Sequence, residues 1–217
     1  MRRFLAVTFL FLVAACNVSA PQPEIETPEF NGNLMIFVPA GEFTMGANPS
    51  EGVSICVKFN LSCSLEWFKN AEPIHRVYLD AFWIDQTEVT NGMYSKCMRD
   101  GKCNPPTSIN SYARANYFGN PQFDNYPVVF ISWQDANAYC SWAGRRLPTE
   151  AEWEKAARGE EGRTYPWGND LPNTDLLNYR HALEDGDTTA VGHFPRVASP
   201  YGVLDMAGNV WEWRRGW

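Results

Sequence analysis

The segment Arg146-Leu147-Pro148-Thr149-Glu150-Ala151-Glu152-Trp153-Glu154 decides how this chain folds locally. Thr149 followed three residues later by Glu152 is a capping box, in which each side chain accepts a hydrogen bond from the other residue's backbone N–H. Glu150 and Glu152 also carry negative charge at the positive end of the helix dipole. Gly159 is typical of the residue just past a helix end. The sequence therefore predicts a short helix from Thr149 to Gly159.

Two further helices are predicted by the same kind of start and stop signal. Thr90 caps a helix that stops before Gly101. Ser132 caps another that reaches Ala143, with Gly144 as its C-terminal stop. Ser and Thr are favoured at these starts because their side-chain oxygens accept hydrogen bonds from the first backbone N–H groups of a helix.

Strands are predicted near the start of the domain, with long loops elsewhere. Apolar and alternating runs indicate strands at Leu34 to Val38, Glu42 to Gly46, His75 to Asp80 and Phe82-Trp83-Ile84. Residues 104–127 and 160–200 contain many turn-forming residues and no sustained hydrophobic periodicity, so we predict loops there. Tyr165-Pro166-Trp167-Gly168 predicts a turn. Loops of this length usually bind a ligand or structural ions. The fold class is α+β with little regular secondary structure.

The N-terminus has the pattern of an export signal. Arg2-Arg3 precedes an apolar stretch from Phe4 to Ala15, which is too short to span a bilayer. Small residues before Cys16 suit bacterial lipoprotein processing, so residues 1–15 are predicted to be a signal peptide and Cys16 to be lipidated. The alternative is an ordinary cleaved signal peptide that happens to contain a cysteine. We expect an extracytoplasmic lipoprotein anchored to a membrane by its acyl chains.

The remaining chain divides into a tether and one domain. Residues 16–33 contain three prolines and three glutamates with few large apolar groups, so they cannot bury enough surface to offset the entropy of ordering. Residues 34–217 are enough for a single sizeable core. The formal net charge of the full chain is −7, and its basic residues form no cluster beyond isolated pairs. This balance argues against nucleic acid and anionic lipid head groups as partners.

Six cysteines are present, and five remain once Cys16 is assigned to lipid. Disulfides persist outside the cytosol. Local spacing suggests two pairs, Cys56 with Cys63 and Cys97 with Cys103. The alternative is free buried thiols, because connectivity cannot be deduced from sequence alone. Cys140 is then the odd cysteine, and its place on one predicted helix stripe with Trp133 and Ala136 favours a core thiol over a reactive one.

Five ordered fragments carry a resemblance to a known family. They are Val38 to Gly46, Thr87-Glu88-Val89-Thr90-Asn91, Arg146 to Glu154, Tyr165 to Gly168, and Asp205-Met206-Ala207-Gly208-Asn209-Val210-Trp211-Glu212-Trp213. Together they resemble the formylglycine-generating enzyme, or sulfatase-modifying factor, family over residues 34 to 213. The resemblance implies a variant of the C-type-lectin fold. The fragments' tryptophans suit the packing of such a fold, since each buries about 150–250 Å².

The resemblance also implies calcium, held by loop oxygens of the kind that hard cations prefer. One site maps onto Asn178, the carbonyl of Tyr179, and an acidic loop with Asp185 and Asp187 as candidates. The alternative for those two aspartates is a solvated acidic turn. The other site maps onto Asp205, the carbonyls of Gly208 and Val210, and the carboxylate of Glu212.

The activity that the resemblance implies depends on copper. Family enzymes bind copper(I) through two cysteines near the C-terminus, activate O₂ and oxidise a protein cysteine to formylglycine, and soft thiolates suit that ion. No cysteine follows Cys140 here, and Arg214-Arg215-Gly216-Trp217 stands where the family continues with further strands. We therefore expect a tail without its C-terminal strands, no bound copper and no catalytic residue. His75, His181 and His193 lack the close spacing of a metal motif.

Three readings of the function follow. The first is an oxidoreductase acting on exported protein thiols with copper and calcium. The second is a noncatalytic extracytoplasmic module of the same fold that binds an exported protein or a glycan. The third is a fragment that does not fold stably, because losing terminal strands from a single core leaves backbone groups unpaired. The missing cysteine pair favours the second reading.

Overall fold

The computed structural model describes residues 29–30, 33–59, 62–179 and 186–216. Its strands are β1 (Glu29–Phe30), β2 (Asn33–Val38), β3 (Gly41–Met45), β4 (His75–Leu79) and β5 (Phe82–Asp85). Its α-helices are α1 (Pro49–Val57), α2 (Asn91–Arg99), α3 (Trp133–Trp142) and α4 (Glu150–Arg158). Short 3₁₀ helices span Leu65–Ala71, Pro121–Phe123 and Pro195–Val197. The mixture of helix and strand with long loops confirms the predicted fold class.

Two small antiparallel sheets cover the N-terminal third. One has the strand order β1-β2-β5, with Met35 opposite Asp85 and Val38 opposite Phe82. The other pairs β3 with β4, with Gly41 opposite Leu79. The predicted strands are all present, although β3 begins and ends one residue earlier than expected.

The helix signals in the sequence are confirmed. Thr149 Oγ1 accepts from Glu152 N at 3.2 Å while Glu152 Oε2 accepts from Thr149 N at 2.8 Å, which completes the capping box. Thr90 caps α2 and Ser132 caps α3, as predicted. Helix α1 was not expected, although its start is marked by Asn48, which caps it, and by Pro49 in its first turn.

Two apolar clusters form the core. The first cluster joins β2 to α4 and to the loop that follows Val203. Its buried members are Val38, Ala156, Ala157, Val203 and Met206. In the second, helices α2 and α3 meet through Met93, Tyr94, Cys97, Tyr139 and Ala143. The first cluster places the loop after Val203 directly against α4, and this contact positions the site described below.

A buried lysine joins α4 to the first hairpin. Lys155 is fully buried, and its Nζ donates to the carbonyl oxygens of Pro39 at 2.8 Å and Gly41 at 3.0 Å. Burial lowers the pKa of this amine, and the nearby Glu160 carboxylate partly opposes that shift. The two carbonyls belong to the turn between β2 and β3, so Lys155 holds that turn against the helix.

Both disulfides are formed as predicted. Cys56 pairs with Cys63, with their Cα atoms 6.2 Å apart, and Cys97 pairs with Cys103, with their Cα atoms 5.4 Å apart. Cys140 is a free cysteine in α3.

The predicted N-terminal features fall largely outside the described residues. The signal peptide, Cys16 and the first part of the tether are among the residues not described. The last part of the predicted tether differs, because Glu29–Phe30 pairs with β2 as β1 and Asn33 begins β2. Within the described part of the chain, no helix is long and apolar enough to cross a membrane.

Candidate functional site: a carboxylate cluster beside an aromatic groove

The loop from Asp205 to Glu212 has an unusual backbone. Asp205 and Asn209 have positive φ angles of 56° and 57°, a conformation that is uncommon for residues with side chains. Gly208 has φ 85°, and a Cβ atom added there would lie 2.4 Å from the carbonyl oxygen of Asn178. Gly208 is therefore required at this position, and the loop takes a tightly specified shape.

The two acidic ligands predicted in this loop are brought close together. Asp205 Oδ2 accepts from the backbone N of Gly192 at 2.6 Å. Glu212 Oε2 accepts from Trp153 Nε1 at 2.7 Å. The carbonyl oxygens of Gly208 and Val210 accept no hydrogen bond from another described residue. Each carboxylate has a second oxygen, and with the two carbonyls these groups match the mixed side-chain and backbone ligands that a hard cation uses.

A third carboxylate, that of Glu88, lies at the same place. Glu88 is 8 % exposed, its Oε1 accepts from Asn209 Nδ2 at 3.0 Å, and its Oε2 is buried without a hydrogen-bond partner. The carboxyl groups of Glu88 and Asp205 lie within hydrogen-bonding reach of each other. Sequence reasoning did not select Glu88 as a site residue, although it belongs to the quoted Thr87 to Asn91 motif.

Burial dominates the electrostatics of the cluster, and Arg214 beside Glu212 and His193 beside Asp205 oppose it only in part. Burial raises the pKa of Glu88 well above its ordinary value, and the carboxylates of Asp205 and Glu212 raise it further. Burial raises the pKa of Glu212 to about 7 and also raises the pKa of Asp205. Buried carboxylates of this kind take up protons or a cation. Asp205 and Glu212, with two backbone carbonyls, fit a calcium ion by their chemistry.

The three carboxylates are not by themselves a site that could hold a metal ion. Among the described residues, no three His, Cys, Asp or Glu side chains are grouped as a ready metal site. A cation at this loop would therefore depend on backbone carbonyls as well as side chains.

At the other predicted ion site, the Asp187 carboxylate already has hydrogen-bond donors from the protein. Asp187 Oδ2 accepts from Ser111 Oγ at 2.5 Å and from Ala113 N at 2.9 Å, and Oδ1 accepts from Thr188 N at 2.7 Å. Burial acts to raise the pKa of Asp187, but these donors outweigh it and the net shift is downward. Protein groups thus already stabilise this carboxylate. Asp185, the other acidic candidate, lies outside the described residues.

Asn178 connects the two predicted ion loops. Its Nδ2 donates to the carbonyl oxygen of Asp187 at 2.7 Å, and its own carbonyl oxygen accepts from Asn209 N at 2.9 Å. Tyr179, the next predicted ligand, packs its ring edge-on against Phe59 at 6.1 Å between centroids. The loops therefore form one connected region.

An aromatic groove of ≈ 840 Å³ lies beside both loops. Four aromatic side chains that line it are open to solvent: Tyr112 at 76 %, Phe130 at 49 %, Trp211 at 102 % and Trp213 at 50 % exposure. Soluble proteins rarely leave several large apolar groups together in water unless the surface binds something. The groove is therefore a candidate binding surface.

The backbone at one wall of the groove is held in a strained conformation. Phe130 has φ 58°, which is unfavourable for a bulky residue. Its carbonyl oxygen accepts from Thr107 N at 3.0 Å and from Thr107 Oγ1 at 3.1 Å. Trp213 Nε1 donates to the next carbonyl, that of Ile131, at 2.8 Å. These bonds hold the backbone at Phe130 and Ile131, and strain of this kind is often found at functional sites.

The described cysteines do not fit copper(I) oxidation chemistry. Four are in disulfides, so Cys140 is the one free thiol among the residues described, whereas the family mechanism needs two. Burial raises the pKa of Cys140 to about 11, and the Asp85 carboxylate adds to that rise. A thiol held in its protonated form is a poor copper ligand.

The two histidines that the structure describes belong to no group of side chains that could hold a metal ion. His75 lies exposed in β4 with Nδ1 2.7 Å from the carbonyl oxygen of Pro73, and His193 is exposed with its ring against Phe194. His181 is outside the described part of the chain.

The comparisons with known proteins agree with this fold and these motifs. The family model described as the Sulfatase-modifying factor enzyme 1-like domain matches residues 21–217. The chain therefore belongs to the sulfatase-modifying factor, or formylglycine-generating enzyme, family.

Particular relatives differ in what their names state. The chain is 32% identical over 245 residues to the Formylglycine-generating enzyme of Streptomyces coelicolor, covering 91% of this chain and 72% of that protein. It is 50% identical over 97 residues to the Inactive C-alpha-formylglycine-generating enzyme 2 of Bos taurus, covering 41% of this chain and 32% of that protein. Among solved structures, PvdO from Pseudomonas aeruginosa matches with a TM-score of 0.60 and 26% identity, over 84% of this chain and 70% of that one.

Other relatives are much longer than this chain. It spans 43% and 28% of the length of two further bacterial proteins that it matches.

Proposed function

We propose that this domain is a noncatalytic module that binds an extended polypeptide segment of an exported protein. We further propose that calcium at the Asp205 to Glu212 loop shapes its binding groove. Lipid on Cys16 would hold the module at the extracytoplasmic face of a bacterial membrane. The observation that carries the proposal is the groove itself, with Tyr112, Phe130, Trp211 and Trp213 open to solvent beside the carboxylate cluster.

Two features favour a polypeptide over a glycan as the occupant of the groove. The family resemblance implies action on a protein cysteine, so a polypeptide is the occupant that a site of this fold suits. In addition, the chain segment at one end of the groove already behaves as a strand: Arg215 N donates to the carbonyl oxygen of Pro148 at 2.7 Å, and Arg215 forms a parallel bridge with Thr149. Extended peptides commonly bind by pairing as an added strand with an exposed, extended backbone segment.

The cysteines of this domain do not suit the oxidation chemistry of the family. The family mechanism needs two thiolates for copper(I), and the residues present supply one buried thiol with a raised pKa. The relative named inactive suits a noncatalytic role for this fold. The test is direct: the purified domain is incubated with Cu(I), O₂ and a peptide that carries a Cys-x-Pro-x-Arg motif, and the peptide is analysed by mass spectrometry. We expect no aldehyde, and aldehyde formation would contradict the noncatalytic assignment.

Groove binding is tested with a displayed library of random 12-residue peptides. Peptides selected on the unaltered domain are titrated against Trp211→Ala, with Trp67→Ala as the matched control because Trp67 is 65 % exposed and outside the groove lining. Trp211→Ala is expected to weaken binding by about tenfold or more, since aromatic anchors dominate interfaces. If no peptide is enriched, or if both variants bind equally, the groove is not the binding site.

Calcium is tested separately by thermal unfolding. Saturation with Ca²⁺ at about 100 times its Kd is expected to add about 2.7 kcal/mol of stability, and chelator removes this gain. Asp205→Asn should lose the gain, whereas Asp80→Asn, at an exposed strand end, should keep it. An unaltered domain whose melting temperature does not respond to Ca²⁺ would refute the calcium proposal.

A further inference from the structure

The outer edge of β5 carries backbone groups that the fold leaves unpaired. β5 is the last strand of its sheet, and just after it Gln86 N donates to the carbonyl oxygen of Leu34 in β2 at 2.9 Å. Because bonded and non-bonded residue pairs alternate along antiparallel strands, the backbone groups of Ile84 also point to β2. Those of Trp83 and Asp85 point away from β2, and no described residue bonds them. The edge can therefore pair with one more strand.

A cavity of ≈ 440 Å³ runs along this edge. All four residues of β5 line it, although successive side chains of a strand point to opposite faces of the sheet. Phe82 and Ile84 pack against the first apolar cluster, whereas Trp83 packs against Phe37 at 5.2 Å between ring centroids. A cavity that touches residues of both faces lies beside the strand, where an added strand would run.

A second segment of the domain also lines the cavity and limits what can enter. Residues 144–148, which join α3 to α4, all line it. The side chains of Asp85 and Arg145 form an ion pair that joins this segment to β5. A space enclosed between a strand and a neighbouring segment accommodates one extended chain, but not the sheet of a second folded domain.

The chemistry of the cavity suits an uncharged, apolar occupant. Each charged side chain that lines it already has a partner in the protein. The pairs are Asp85 with Arg145, Arg146 with Glu152, Glu212 with Trp153, and Glu88 with Asn209. Most of the remaining lining is apolar and includes Met35, Leu147, Val203 and Met206. The backbone edge of β5 thus offers the hydrogen bonds, and the cavity offers space for apolar side chains.

We propose that the edge of β5 binds an extended segment of another polypeptide as an added strand, with apolar side chains of that segment in the cavity. Main-chain bonds supply affinity in this mode, and pockets for alternate side chains supply specificity. The segment that fits is about five residues long, and every second residue is apolar. The site differs from the aromatic groove, because Tyr112 and Phe130 line the groove alone, although Trp211 and Trp213 line both.

The probe is a displayed library of ten-residue peptides in which Val, Ile, Leu or Phe alternates with Ser or Thr. Peptides enriched on the full chain are resynthesised with one N-methyl group at each position in turn. N-methylation removes a backbone donor, so affinity should fall by about tenfold or more at every second residue and change little between them. Hydrogen exchange at the amides of Trp83 and Asp85 should be faster than at Ile84 in the free protein, and peptide should slow it.

Substitutions in α3 test the cavity. Ala136→Phe places a large side chain in it, because Ala136 is part of its lining. Ala138→Phe is the matched control on the same helix, since Ala138 is not part of the lining. The first substitution should weaken peptide binding by about tenfold or more, whereas the second substitution and Tyr112→Ala should leave it unchanged. Thermal unfolding checks that the variants fold, and the N-methyl scan needs no substitution in the protein.

The results separate this edge site from the aromatic groove. If no alternating peptide is enriched, or if N-methylation acts without a two-residue period, strand addition at β5 is refuted whatever the groove binds. Binding that survives Ala136→Phe but is lost in Tyr112→Ala supports the proposed function and refutes the edge site. Slow exchange at the Trp83 and Asp85 amides without peptide would show that the edge is already paired, for example in a second copy of the chain, and would also refute it.

Discussion

Trp153 Nε1 donates a hydrogen bond of 2.7 Å to Glu212 Oε2, across a sequence separation of 59 residues. It joins α4, the helix with the strongest local sequence signal, to the loop that carries the candidate ion ligands. Arg214 lies over the same indole ring at 5.7 Å from its centroid. Trp153 therefore supports the site through both its N–H group and its ring face.

Trp153→Phe should destabilise the domain in chelator by roughly 1–3 kcal/mol, because it removes the donor and leaves a buried carboxylate unsatisfied. Denaturant unfolding measures the change. Trp67→Phe is the control, since that ring is 65 % exposed and should stay within about 0.5 kcal/mol of the unaltered domain. Equal effects of the two substitutions would show that the Trp153–Glu212 bond contributes nothing.

Thr149→Ala should cost about 1 kcal/mol of unfolding free energy, the usual effect of losing a helix N-cap. Here the loss breaks one of the two reciprocal bonds with Glu152. Ser64→Ala removes the corresponding cap of a 3₁₀ segment with no buried residue and should cost less. Denaturant midpoints of the two variants give the comparison, and a larger loss at Ser64 would contradict it.

The Glu152 carboxylate should contribute stability that depends on pH. Burial acts to raise the pKa of Glu152, but hydrogen bonds from Arg146 and Thr149 outweigh it, so the net pKa is lowered. A lowered folded-state pKa means that the contribution is complete above the unfolded value of about 4.3 and is lost as pH falls through the folded value.

The measurement compares the unaltered domain with Glu152→Gln between pH 3 and pH 7. The stability difference should be constant above about pH 5 and shrink in more acidic solution. Glu161→Gln, on an exposed loop, should show little difference at any pH. A stability difference that grows as the solution becomes more acidic would show that folding raises, and does not lower, the pKa of Glu152.

Cys140 should react slowly with alkylating reagents. Because burial raises its thiol pKa to about 11, only a small fraction is thiolate at neutral pH. Iodoacetamide labelling followed by mass spectrometry should modify Cys140 slowly in the native domain and rapidly in denaturant. Rapid native labelling at pH 7, at a site lost in Cys140→Ser, would show that the thiol is accessible and activated.

Much of the fold was predictable because its signals are local. Thr149 with Glu152, Thr90, and Ser132 with Gly144 mark helix ends through bonds made within a few residues, and the structure has helices at all three places. Cysteine spacing likewise predicted Cys97 with Cys103, which are six residues apart.

The candidate site was only partly predictable because its contacts are distant in sequence. The ligand motif predicted Asp205 and Glu212, but Glu88 meets that loop only after the chain has folded, since Asn209 lies 121 residues away. Similarly, Ser111 contacts Asp187 across 76 residues from a loop with no periodic pattern. Nothing near either residue in the sequence indicates these neighbours.

The burial of Lys155 has a consequence for the order of folding. Helix α4 can begin to form from its own capping signals, but the Nζ of Lys155 reaches its two carbonyls only when the hairpin of β2 and β3, more than a hundred residues earlier, packs against it. Contacts this distant form late because their loops are costly to close. Pulsed amine labelling during refolding should therefore show Lys155 becoming protected after the exposed turns of the helix have formed, so that this one amine reports when α4 meets the turn between β2 and β3.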